Sequence, residues 1–455
     1  MCIRDRDIYN SLIVELPEDI KKTIYFGDYH KALKLIDIYM DRNIPNILKN
    51  RLEYEKDRIR RLKDDYIYSF DEAFELASSK IEGFTKEELE KMKDERYAEW
   101  AYIDGEVKFI HSFLNNIIKV NKDLEKRLID ENTDNKDSQL VEKTIDEIIS
   151  NGEKKYFIRL RTGIKLKEIK AKVAESVKVH IPIPQNAQQI KNIKIHNTSH
   201  NPKFIAPENY PQRTIYFEEE VNDGGIFTVE YSYENHIKYN NLKPEIVSKN
   251  QPSFYTEEWI PHIRFTPFLV ELTNEIIKDE KNPLIKARKI YDYITKNVQY
   301  SYMPQYATIT NIPEYCAYNL KGDCGVQAIL FITLCRIANI PARWQSGLYS
   351  SPYYIGCHDW AEFYIEPYGW IFADPSHGGG ALRNGNEKKW NFFFGNLDPF
   401  RMVANSQVNY DFIPDKKHYR QDPFDNQVGE IEYEDRFLCD DEYETILEII
   451  DIHEI

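Results

Sequence analysis

KGDCGVQAILFITLCRIANIPARWQSGLYSSPYYIGCHDWAEFYIEPYGWIFADPSH, residues 321–377, is the stretch that decides the fold. After Gly322 and Asp323, Val326, Ile329, Leu330, Thr333, Leu334 and Ile337 recur at the spacing of a helix with one apolar face. Asn339, Ile340 and Pro341 provide the stop. Asp323 is the candidate N-cap, which sets Cys324 in the first turn. Free N–H groups and the positive end of the helix dipole favour a thiolate there. Gly322 and Gly325 leave room for a substrate backbone. Cys335 falls mid-helix and reads as a small core residue.

Farther on, residues 358–365 alternate as a strand. His358, Trp360, Glu362 and Tyr364 share one face, and Cys357 belongs to the other. Pro367, Tyr368 and Gly369 turn the chain, and residues 370–374 return. His358 and Asp374 are an even number of residues apart. A hairpin centred on Glu366 sets them opposite each other on one face. A turn centred between Pro367 and Tyr368 needs a bulge to bring them together. The spacing leaves both registers open.

A thiol, an imidazole and a carboxylate in that order suit nucleophilic catalysis. His358 would take the thiol proton, and Asp374 would accept the other ring N–H and fix the tautomer. The Cys324 thiolate would attack an amide or ester carbonyl, and water or an amine would resolve the acyl-thioester. The backbone N–H of Cys324 is a natural oxyanion donor, with Gln305, Tyr302 and Tyr306 as candidates for a second. Each element has a plainer reading: a buried Cys opening a helix, a His in a strand and an Asp-Pro turn are often structural. His377, in Ser-His-Gly-Gly-Gly, is the rival base. Cys324, Cys335, Cys357, His358 and His377 lack zinc-knuckle spacing, so no metal is expected.

The bulk properties narrow the remaining choices. A chain of 455 residues divides into two or three domains. A net charge of −15 argues against nucleic-acid binding. Six scattered cysteines make no disulfide framework. No apolar run approaches the roughly 18 residues of a membrane span, and the opening residues mix charges into their apolar positions, unlike a signal-peptide core. A cytoplasmic location, no membrane partner and no cofactor are therefore expected. Residues 1–6 resemble adapter-derived sequence, so the natural start is expected to differ. No EF-hand spacing appears, which argues against calcium.

Residues 1–150 read as helical, with dense charge, helical apolar spacing and capping-box spacing at Thr85 and Glu88. The run 131–138 is a loop signal, and His111 reads as a core or groove residue. Residues 152–240 are short β-branched and aromatic segments, an antiparallel β-domain. His180, His196, His200 and His236 fall there on separate segments, without a paired metal motif. Two helices broken at Asn282-Pro283 lead into the central stretch, within a core spanning 253–400. Residues 401–455 close the chain, supplying one more strand and then a tail. From Glu430 onward there are eleven acids and a single Arg, which predicts a solvated or partly disordered end.

The segments GDCGVQAILFITLCRIANIPARWQSGL and GCHDWAEFYIEPYGWIFADPSHGG resemble the transglutaminase-like superfamily of papain-related folds. The likeness is clearest over residues 291–379. It includes the Cys at a helix start, the Ile-Pro-Ala-Arg exit, the His-x-Trp-x-Glu strand and the Gly-Trp before Asp-Pro. The resemblance implies an α+β fold whose papain-like core packs a helix on an antiparallel sheet, preceded by a helical domain and an antiparallel β-domain. It also implies catalytic Cys324, His358 and Asp374 and a protein or peptide substrate. It leaves open amide hydrolysis, γ-glutamyl transfer to an amine and a non-catalytic interaction role, and the oligomeric state is unspecified.

Overall fold

The helix that opens at Cys324 sits at the centre of the molecule. In the computed structural model, which describes residues 8–129, 135–167, 175–221 and 225–455, it runs Cys324–Ile337. The Asp323 side chain caps it by accepting from the Val326 N–H at 3.0 Å. Asn339 ends it in the left-handed region at φ 59°, which a short polar side chain tolerates. The pattern predicted one buried face, yet every residue from Gly325 to Arg336 is buried. The reason is that helices Pro267–Ile277, Pro283–Asn297 and Ile312–Asn319 cover the side away from the sheet. The polar side chains it thereby buries donate to backbone carbonyls. Gln327 donates to the Gly322 carbonyl, Thr333 to Ile329, and Arg336 to the carbonyls of Ala342 and Glu257.

The helix packs on a five-stranded antiparallel sheet ordered Phe394–Gly395, Gly369–Ala373, Ile355–Ile365, Ala342–Ser350, Arg401–Asn405. Alternation gives each face of this sheet its own core. Ala361, Phe363, Ile365 and Ile371 pack toward the helix, whereas Trp360, Phe372, Leu348 and Met402 pack toward the β-domain.

The β-domain is two four-stranded antiparallel sheets sharing that second core. The first is ordered Tyr443–Glu454, Glu153–Leu166, Ile226–Lys238, Ile190–Thr198. The second is ordered Glu430–Tyr433, Ser176–Pro182, Thr214–Glu220, Phe204–Ile205. The expected solvated tail is thus corrected, since it supplies one strand to each sheet. Its acids have cations to meet. Glu448 pairs with Arg161 at 2.8 Å, and Glu454 with Lys154. Between them Leu447, Ile449 and Ile452 pack on the β-core. Counting charges alone missed this interleaving.

The N-terminal region is mostly helical, with a core of its own. The capping box at Thr85 forms in both directions, Glu88 N–H to Thr85 Oγ1 at 3.2 Å and Thr85 N–H to Glu88 at 2.9 Å. It also holds a three-stranded sheet, Tyr66–Tyr68, Glu106–Ile110 and Trp100–Ile103, that the helical reading did not include. Asp104 and Gly105, both at positive φ, make the two-residue turn joining Ile103 to Glu106. Helix Lys136–Asn151 ends at Gly152 and lends Val141, Ile145 and Ile148 to the β-domain core. Residues 1–6 and residues 131–134 of the loop expected over 131–138 lie outside the described residues, and at the other end of that span Lys136 already opens a helix. Among the described residues, no helix is long and apolar enough to cross a membrane.

Candidate active site

A cavity of about 460 Å³ opens at the start of the Cys324 helix. Three parts of the chain wall it: Asp65 and His111 from the N-terminal region, residues 300–307 with Asp323, Cys324, Cys357 and Asp359 from the core, and residues 421–430 from the C-terminal segment. The N-terminal region also fixes the 301–309 loop. Asn116 bonds both the N–H and the carbonyl of Tyr302, Arg61 bonds the Gln305 side chain and the Gln421 carbonyl, and Tyr54 donates to the Ala307 carbonyl. Helices that the resemblance did not cover therefore hold a wall of the site.

Cys324 is half-buried in this cavity. The residue after it must be glycine. A Cβ at Gly325 would lie 2.2 Å from the Tyr306 hydroxyl and 2.9 Å from Asp359 Oδ2, so the space expected for substrate holds two of the protein's own side chains. The Tyr306 hydroxyl donates to Asp323, which spends it as an oxyanion donor.

His358 and Asp374 come together. His358 Nε2 lies 2.8 Å from Asp374 Oδ2, and both residues are buried. The hairpin is centred on Pro367, pairing Ile365 with Gly369 and Tyr364 with Trp370. Neither expected register is the one formed, and His358 and Asp374 meet as diagonal neighbours on one face without a bulge. Asp374 Oδ1 accepts from the His377 N–H at 2.9 Å and from Ser376 at 3.0 Å, and Arg401 Nη1 reaches Oδ2 at 2.9 Å. Against burial, which would raise it, His377, His358 and Arg401 hold this carboxyl well below the usual range. As an ion accepting from Nε2–H, it leaves His358 Nδ1 as the basic nitrogen.

His377, the rival base, accepts at Nδ1 from Arg401 at 3.1 Å, and burial pushes it down to about 3. Its Nδ1 is committed to Arg401. His358, Asp374 and His377 bring ligand-type atoms within 4.8 Å of one another, but Arg401 already places its cation against two of them, which leaves no sense in adding a metal ion. His180, His196, His200 and His236 are each bonded separately, to Thr214, Ser232, Ser199 and Glu234.

The third member is placed differently. Among the described residues no hydrogen bond joins Cys324 to His358. The thiol donates instead to Asp359 Oδ2 at 3.1 Å. Asp359 follows His358 in the strand and so projects from the opposite face, into the cavity. Burial, Asp359 and Asp323 push the Cys324 thiol well up, so the thiolate expected from the helix dipole alone is not the resting form. Burial likewise pushes Asp359 up to about 7 and Asp323 to about 6, and raises Asp425 strongly.

Of the candidate oxyanion donors, Gln305 is spent: its N–H and its side-chain amide both donate to Asp65. Tyr302 lines the cavity and is 40% exposed. The backbone N–H of Cys324, in the first turn, has no intrahelical acceptor. Sequence reasoning missed Asp359, Asp425, Gln427 and Arg401. Alternation along the strand was the one available signal, because it already set Asp359 opposite His358.

Part of this chain is similar to known proteins. Residues 270–375 match the model of the transglutaminase-like superfamily. The uncharacterized protein YebA of Bacillus subtilis is 24% identical over 180 residues, 35% of this chain and 24% of that protein. An uncharacterized Haemophilus influenzae protein is 23% identical over 231 residues, 43% of this chain and 62% of that one. The chain thus spans less than two thirds of either relative. Among solved structures, a candidate cysteine protease from Cytophaga hutchinsonii superposes with TM-score 0.41 at 15% identity, covering 67% of this chain and 91% of that one. The periplasmic domain of TgpA from Pseudomonas aeruginosa gives 0.29 at 12%, covering 54% and 95%.

Proposed function

The chain belongs to the transglutaminase-like superfamily through residues 270–375, and from that premise we propose that it is a thiol enzyme attacking amide carbonyls in proteins or peptides. Cys324 is the nucleophile, His358 the acid–base group and Asp374 the residue that orients it. One observation carries this reading: a cysteine in the first turn of a buried helix opens into a cavity lined also by Cys357 and Asp359, the two strand neighbours of a histidine that is buried and hydrogen-bonded to Asp374. The thiol forms an acyl-thioester, the amine leaves, and a second acceptor releases the acyl group. Water as that acceptor makes the protein a hydrolase, and an amine makes it an acyltransferase.

The test is a peptide-amide library incubated with and without a labelled primary amine. Free acid product establishes hydrolysis, and label incorporated at glutamine establishes transfer. Loss of both in Cys324→Ala is required. Product formation undiminished in that variant would refute the proposal.

A further inference from the structure

A second cavity, of about 260 Å³, lies where the N-terminal region meets the core, apart from the one that holds Cys324. Lys21 and, from helix Asn46–Asp65, Arg51, Glu55 and Arg58 wall one side, and Arg264, Asn311 and Glu314 wall the other. With Glu15, four cations and three carboxylates line it. Lys21 pairs with Glu15 at 3.1 Å. Arg51 and Arg58 share a single carboxylate, Glu55, the second of them at 2.6 Å. Arg51 also donates to the Val14 carbonyl at 3.2 Å, and Arg58 to that of Thr308. Glu314 accepts from the Thr266 hydroxyl. Arg264 has neither an ion pair nor a hydrogen bond among the described residues.

The donors here exceed what the protein offers them. Arg58 Nε, Arg264 Nε and Asn311 Nδ2 are buried without a hydrogen-bond partner, and Arg58 and Asn311 are only 8% and 5% exposed. The Asn311 amide is fixed in that orientation, because its oxygen accepts from the Glu314 N–H at 3.3 Å to cap helix Ile312–Asn319. Arg58 and Arg264 share a neighbourhood: after burial, their two charges help push His262 down to about 3. Buried charge beyond its carboxylates is costly unless something meets it, and orphaned buried donors point to a missing ion or water. One acceptor is orphaned too, Glu55 Oε1. The occupant must therefore bring several acceptors and one donor. Hydrogen phosphate does, with oxygens that suit the guanidinium fork and a single O–H.

We propose that this cavity binds a phosphate group, with Arg264 and Asn311 of the core and Arg58 of the N-terminal region as donors and Glu55 as acceptor of the phosphate O–H. Its volume is several times the roughly 30 Å³ that one water takes in the liquid, so it admits the free ion or a small phosphomonoester. Bound there, the anion joins the two regions through their own side chains. The site also lies close to the catalytic cavity. Arg58 holds the Thr308 carbonyl, and Tyr54, one turn earlier on the same helix, holds the carbonyl of Ala307, which lines the Cys324 cavity.

The experiment is calorimetric titration of the full chain near neutral pH and at fixed ionic strength, with inorganic phosphate, glycerol phosphate or malonate replacing chloride. A chain of net charge −15 repels anions elsewhere on its surface, so one saturable equivalent reports a built site. Phosphate binds with that stoichiometry. Malonate dianion, which has no O–H for Glu55, binds about tenfold more weakly or worse. Tighter binding of glycerol phosphate assigns the site to a phosphomonoester, and tighter binding of phosphate assigns it to the free ion. Arg264→Gln removes a side chain that the fold itself does not bond, and weakens phosphate binding by about 10–100-fold. Arg264→Lys, which keeps the charge but loses the fork, weakens it by about tenfold and serves if the Gln variant does not fold. Phosphate also raises the melting temperature of the natural protein but not that of Arg264→Gln. Absence of saturable binding by both phosphate and glycerol phosphate overturns the proposal. Binding unchanged in both Arg264 variants, or malonate held as tightly as phosphate, overturns it as well.

Discussion

Asp374→Asn tests the part that the His358–Asp374 pair plays in the proposed reaction. Asp374 accepts from His358 Nε2, Arg401 Nη1, Ser376 and the His377 N–H. An Asn can keep its oxygen on the last two, at the N-cap of helix Pro375–Arg383. Its amide nitrogen then faces two donors. The imidazole can meet it only by turning Nε2 into an acceptor, which moves the ring proton to Nδ1 and removes the nitrogen that accepts from water. The loss expected from a wrong tautomer is about 10³–10⁴-fold, roughly 4–5.5 kcal/mol of barrier. The fold should survive, because Arg401 keeps Asp398 as its partner. That limits the cost to less than the roughly 3–5 kcal/mol of breaking a buried ion pair outright.

With p-nitrophenyl acetate as acyl donor, the burst reports acylation of sulfur and the steady state reports its release. Asp374→Asn should slow both the burst and the steady state by about the factor above. Steady-state turnover within a factor of ten of the natural protein would remove the His–Asp pair from the mechanism.

Stability should depend on pH in two opposing ways. Asp359 and Asp425 have folded pKa values raised above their unfolded ones, so they favour the fold at low pH. That support is lost as pH rises from about 4 through about 7, by on the order of 1–4 kcal/mol. Asp374, held low, contributes stability above about pH 4 that is lost below it. Melting temperature should therefore peak on the acid side of neutrality, and Asp425→Asn should raise it at pH 8; a flat profile from pH 5 to 8 would contradict the buried carboxyl pair. Gly325→Ala must displace Tyr306 or Asp359, and should cost about 1–3 kcal/mol in chemical denaturation while slowing Cys324 alkylation; an unperturbed variant would show that the crowding is absent. Deleting residues 443–455 removes the strand along Glu153–Leu166 and bares an apolar edge. That variant should melt lower and self-associate in sedimentation, and an unchanged monomer would show that the strand is dispensable.

Much of the core was legible in the sequence because it rests on local rules. Asp323, the apolar recurrence from Val326 to Ile337 and the Asn339-Ile-Pro341 stop define the helix, and alternation from His358 to Tyr364 defines the strand. The hairpin register was beyond that reasoning, since two spacings were equally allowed and the chain turns on a third centre. The partner of Cys324 was hidden for a related reason. Attention to the catalytic order Cys, His, Asp overlooked that His358 and Asp359 leave opposite faces of the strand. Asp425, Gln427 and Arg401 reach the site from the far end of the chain, and no local pattern points there. The tail misled because Glu and Asp were counted as charge, without the Lys154 and Arg161 that wait on the neighbouring strand.

The central claim is that Cys324 carries the acyl group. Treating the full chain with p-nitrophenyl acetate, quenching in acid and locating the added acetyl group by mass spectrometry tests it directly. The account predicts a single adduct on Cys324 whose rate of formation falls in His358→Ala. An adduct on Cys357, which is exposed in the same cavity, or no adduct on any cysteine, would contradict it.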